Sequence, residues 1–153
     1  MTTLTDILST MAQALVNDSD IDSLCITTWG QSLTVVRRGN DQFRPGSDHL
    51  PLVELRSLTR VRTEDNPHYT THPVLVGVFA SPGSEPDLSG HILSFPQEAQ
   101  AEELSWRVER VLTQALSAAG VPSLQDEGGD LLEGAYLVTG WIYNLQIRNI
   151  LNP

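Results

Sequence analysis

The chain of 153 residues contains no lysine, one cysteine and only two methionines, and 6% of its residues are aromatic. The single cysteine, Cys25, excludes an internal disulfide and gives no sign of an oxidising compartment. No apolar run approaches the roughly 20 residues of a membrane span. The opening MTTLTDILSTMAQALV has neither a positive n-region nor a small-residue cleavage site, so a soluble protein made in the cytoplasm is expected. Positive charge is scarce as well: nine arginines face nineteen acids, for a net charge of −10. That balance argues against broad wrapping of nucleic acid or binding to an anionic membrane, both of which need excess cations.

The cations present are clustered. Six of the nine, Arg37, Arg38, Arg44, Arg56, Arg60 and Arg62, fall between residues 37 and 62, where the only acids are Asp41, Asp48 and Glu54. This stretch carries about +3, and the rest of the chain sets three arginines against sixteen acids. Arginine without lysine suits forked, geometrically fixed pairing with carboxylate or phosphate, because the guanidinium is planar and pre-organised. Such a polarised chain points to an assembly component or to a small domain that binds an acidic peptide or phosphate.

The length suggests one domain over residues 1–153 with a self-sufficient core. Leu4, Ile7, Leu8, Met11 and Leu15 follow a helical stripe, with Thr3 or Thr5 as cap and Asn17 to Ser19 as the end. Leu24–Trp29 and Leu33–Arg38 are rich in β-branched and aromatic residues around Gly30 and Gln31, which predicts a β-hairpin. Residues 39–49 are dense in turn formers, and alternation over Pro51–Arg62 predicts a strand. The unbroken apolar run PVLVGVFAS at 73–81 predicts a central strand covered on both faces. Residues 81–94 read as a connection.

Leu104, Val108, Val111, Leu112, Ala115 and Ala119 define a second helix between Pro96 and Gly120. An acidic loop is expected over 120–134, then a long strand from Ala135 to Ile147. At ~3.3 Å per residue that strand reaches ~43 Å. A domain of this size is ~38 Å across. The strand should therefore bend, with a bulge at Gly140, or project toward a partner with Trp141, Tyr143 and Leu145 near a neighbouring subunit. The expected architecture is a two-layer α+β domain: a mixed or antiparallel sheet of about five strands with two helices on one face.

Other constellations carry weaker chemistry. His68 and His72 have the spacing of helical metal ligands, but Pro67, Pro73 and the intervening YTT favour strand or loop. Cys25 in an alternating segment reads as a small hydrophobe. Asp126, Glu127, Asp130 and Glu133 lack the ligand alternation of a calcium loop. No cofactor or metal is expected. Trp29, Trp106, Trp141 and Tyr143 are candidate packing or interface anchors.

The element order, the arginine-bearing loop before LPLVEL, the HPVLVGVFA strand feeding the helix EAQAEELSWRVERVLTQAL, and the final long strand together resemble the tail terminator proteins of long-tailed bacteriophages. The resemblance spans most of the chain and is carried by pattern, without a diagnostic motif. It implies a non-catalytic virion protein assembled in the host cytoplasm, forming a hexameric ring that caps the tail tube and joins it to a head or neck protein. Genomic DNA would pass through the lumen without tight binding. Arg37, Arg38, Arg44, Arg56, Trp141, Tyr143 and Leu145 are then the expected subunit or partner contacts. The long loop at 39–50 and the acidic loop at 120–134 depart from the family pattern, and a neck or head-completion protein would share many of these features.

Overall fold

The computed structural model describes residues 3–38, 49–58, 61–62, 68–83, 85–127 and 136–148. Helix α1 runs Leu4–Asn17. Thr3 caps it through its side chain, which accepts from the Asp6 backbone, and Asp6 returns a bond to the Thr3 N–H. This reciprocal capping box satisfies two otherwise orphaned donors and holds the Asp6 carboxyl below its ordinary range. Ile7, Met11 and Leu15 form its buried stripe.

The predicted first strand of the hairpin is instead a helix, α2, over Ser19–Trp29. Asp18 accepts from the Ile21 N–H at its start, and Gly30, in the left-handed region at φ 77°, closes its end. Ile21 and Cys25, one helical turn apart, supply the buried side. Capping at both ends and an i, i+4 apolar pair outweigh the modest β propensity of Ile26, Thr27, Thr28 and Trp29.

The main sheet has the order β1-β2-β4-β8-β7, from β1 (Thr34–Arg38), β2 (Leu52–Ser57), β4 (Tyr69–Phe79), β7 (Ser123–Glu127) and β8 (Leu137–Arg148). The short β3 (Val61–Arg62) pairs with β4 on the same edge as β2. β1 and β2 are parallel and every other pair is antiparallel, so the sheet is mixed. A parallel pair cannot be joined by a tight turn, and the end of β1 at Arg38 and the start of β2 at Leu52 are well separated in sequence. β7 corrects the expectation of an acidic loop: Ser123–Glu127 has weak strand propensity, but it satisfies the otherwise open edge of β8.

Helix α3 spans Glu98–Ala118, and Gly120 follows at φ 68°. All three helices cover one face of the sheet, where Ile7, Met11, Leu15, Ile21, Cys25, Leu104, Val108 and Leu112 meet Val53, Leu55, Val74, Val76, Val78, Trp141, Tyr143 and Leu145. This is the expected α+β two-layer arrangement with one more helix. Leu50, Leu52 and Phe79 form a smaller buried cluster with Val36 and Leu137.

β8 does not project. It pairs with β4 from Leu137 to Arg148 and with β7 from Trp141 to Leu145, and its bulge falls at Val138, where the register shifts opposite Val78 and Phe79, not at Gly140. Trp141, Tyr143 and Leu145 are buried in the protomer's own core, which corrects their expected position at a neighbour's surface. The Tyr143 hydroxyl bonds Thr113 Oγ1 at 2.8 Å, and its ring stands edge-on to Trp141 with centroids 6.2 Å apart. Tyr143→Ala should therefore destabilise the dilute protomer by about 3–5 kcal/mol. Urea unfolding monitored by circular dichroism checks this, and an unchanged midpoint would contradict the core placement.

Candidate interaction surface

The connection between β4 and α3 folds into a second, separate sheet of two strands, β5 (Asp87–Ser89) and β6 (Ile92–Ser94). Gly90, at φ 63°, takes the first of the two turn positions between Ser89 and Ile92, where a tight hairpin favours glycine. Three aliphatic side chains on this hairpin are largely open: Leu88 is 70% exposed, Ile92 71% and Leu93 58%. Leu88 and Leu93 sit directly across from each other and so share a face. A hairpin of this length is marginal in water by itself, and its apolar face is not covered among the described residues.

Its root is held firmly. The Gln97 N–H donates to the Pro82 carbonyl at 2.8 Å, and Gln97 Nε2 reaches the Thr28 carbonyl at 3.1 Å. Gly83 has φ 109° and lies so close to Pro96 that an added Cβ would stand 2.8 Å from Pro96 Cδ, so only glycine fits. Trp29 Nε1 donates to the Ser81 carbonyl at 2.9 Å, which assigns that tryptophan to bracing this root. A cleft beside the root is lined by Pro82, Gly83, Phe95, Glu98, Tyr136 and Leu137. Tyr136 also adopts a positive φ of 75°, unusual for a bulky residue, while its carbonyl accepts from the Ala80 N–H.

A second exposed aromatic, Trp106, is 64% open on α3. It lines a groove with Asp20, Ala99, Glu103, Arg107 and Arg110. Arg107 is tied to Glu103 one turn earlier by bonds of 2.7 and 3.2 Å, which holds its guanidinium firmly charged. An exposed i, i+4 pair of this kind contributes about 0.3–0.5 kcal/mol.

The expected arginine contacts divide. Arg37 is exposed on β1, and its Nη1 donates to Ser9 Oγ of α1 at 2.6 Å. Arg38 ends the same strand, and Arg44 lies outside the described residues. Arg56 is only 9% exposed in β2, with Nε 3.9 Å from Oε1 of Glu54, itself 1% exposed. Its alternation partner two residues back was visible in sequence; burial on both sides of β2 was not. No protein-family model matches the chain, and no curated protein matches it.

The remaining constellations take structural places. His72 lies within β4 and His68 immediately precedes that strand, so four steps at about strand rise set them ~13 Å apart, beyond shared coordination. Among the described residues no group of three His, Cys, Asp or Glu side chains is placed to hold a metal. No described helix is long and apolar enough to cross a membrane. Cys25 is buried in α2, and desolvation, with the nearby Asp22 charge, pushes its thiol up to about 12. A raised pKa keeps the thiol protonated in the folded state, so its contribution to stability is full below about 9 and is lost as pH climbs toward 12. Alkylation by iodoacetamide at pH 8 should accordingly be at least tenfold slower in the native protein than in urea; equal rates by mass spectrometry would contradict the buried placement.

Proposed function

We propose that the protein is a structural ring component of a phage tail or related particle, a tail terminator that caps the tube and joins it to the head or neck. The observation that carries this reading is the firmly rooted hairpin with Leu88, Ile92 and Leu93 open to solvent. Exposed aliphatics on a narrow, pre-positioned arm suit burial in an assembly better than permanent hydration. Leu88 and Leu93 meet an adjoining subunit, and each protomer both gives and receives such a contact, as heterologous rings require. The net charge of −10 fits a lumen through which DNA passes without being held. The tube protein and a head-joining or neck protein are the partners, the ring is a hexamer, and it carries out no chemistry of its own.

Size-exclusion chromatography with light scattering tests the reading. The wild type should run as one discrete oligomer, and a Leu88→Ser, Ile92→Ser, Leu93→Ser variant should dissociate by at least tenfold in concentration at midpoint while its melting temperature moves by no more than a few degrees. A wild type that stays at 16.8 kDa across the concentration range would contradict the ring and favour a monomeric accessory domain.

A further inference from the structure

The main sheet ends in two five-residue strands, β1 and β7, and among the described residues neither is paired on its outer edge. Their charges are opposite. β1 (TVVRR) carries Arg37 and Arg38 and no acid; β7 (SLQDE) carries Asp126 and Glu127 and no base. From this complementarity we infer that the β1 edge of one copy pairs with the β7 edge of the next, so that sheets continue from subunit to subunit. The inference rests on the ring reading proposed above and names the surface that closes the ring.

Strand directions support it. β1 is parallel to β2, and three antiparallel steps lead from β2 through β4 and β8 to β7, so β1 and β7 run in opposite directions. Copies related by a modest rotation thus meet as an antiparallel pair, the more stable ladder.

Faces also agree. Arg37 is aligned with Leu55, which faces the helices, and Gln125 is aligned with Tyr143 on that same face. Val36, aligned with Glu54, lies on the opposite face, as does Asp126, aligned with Ile142. Continuing both faces across the junction permits only registers that shift by two residues. Setting Arg37 opposite Gln125 overlaps four residues of each strand and, in register position, puts 37 diagonal to 127 and 38 diagonal to 126. Diagonal neighbours in antiparallel strands lie within reach of long charged side chains.

Among the described residues neither edge is fully committed within its own protomer. Among the described residues, Arg37 gives one of its five guanidinium donors to Ser9, and Asp126 accepts one bond, from Asn144 Nδ2 at 2.6 Å. Two oppositely charged sheet edges that no described residue pairs would otherwise invite uncontrolled stacking; closing head to tail uses both edges of every copy.

Charge reversal with rescue tests the pairing, read by light scattering. Arg37→Glu with Arg38→Glu, and separately Asp126→Arg with Glu127→Arg, should each shift the oligomer toward the 16.8 kDa protomer by at least tenfold in midpoint concentration. All four substitutions in one chain should restore it. A second variant pair guards against misfolding: with Arg37→Cys and Gln125→Cys in one chain, mild oxidation should yield a ladder of covalent multimers ending at the ring size, whereas each single variant stops at dimers. If both reversal variants stay oligomeric and the cysteines do not cross-link, the edge pairing is wrong while the ring stands. If the wild type is itself a monomer, both readings fall.

Discussion

Everything in this fold hangs on the antiparallel ladder between β4 and β8. It joins Tyr69 through Phe79 to Arg148 through Leu137, and its helix-facing row sets Val74 against Tyr143 and Val76 against Trp141. These side chains are the floor on which α1, α2 and α3 pack. Each buried aliphatic or aromatic side chain contributes roughly 1.5–3 kcal/mol, so this row and the helix stripes that meet it together supply most of the core's favourable energy. The ladder also positions the outlying parts. β4 runs directly into the root of the exposed hairpin at Ser81 to Gly83, and β8 offers its far edge to β7.

The sequence was most legible where one physical signal ruled. The apolar run at 73–81 suits a strand covered on both faces, and β4 is buried from Val74 to Phe79 with a strand on each side. The stripe from Leu104 to Leu112 required an amphipathic helix, and α3 buries those residues. Legibility failed where signals competed. Ile26 to Trp29 look like a strand by composition, yet the Asp18 cap, Gly30 and the spacing of Ile21 and Cys25 define α2. For β7 nothing local decides, because its pairing is imposed by β8.

The interaction surface was half legible. Clustering of arginines was visible, but their fates depend on tertiary context: Arg37 lies open on an edge strand while Arg56 sits inside the sheet beside Glu54. Trp141 and Tyr143 are conspicuous in sequence and lie in the core, because they face the helix layer, while β7 pairs with the edge of β8. The hairpin was missed because its two strands have three residues each and alternate poorly; its trace was Gly90 between Leu88 and Ile92. The unspent surfaces, the hairpin and the two outer strands, are peripheral to a core already satisfied within the protomer. In the proposed ring, assembly therefore joins preformed protomers rather than completing their fold.

Hydrogen exchange compared between dilute protomer and assembled particle measures that division most directly. Segments within 69–79 and 137–148 should already be strongly protected in the dilute protomer and gain little. Residues 34–38, 87–94 and 123–127 should exchange quickly when dilute and gain at least tenfold protection on assembly. Protection gained instead across 141–148, with the edges and hairpin unchanged, would contradict a core completed within each protomer and an assembly made through its periphery.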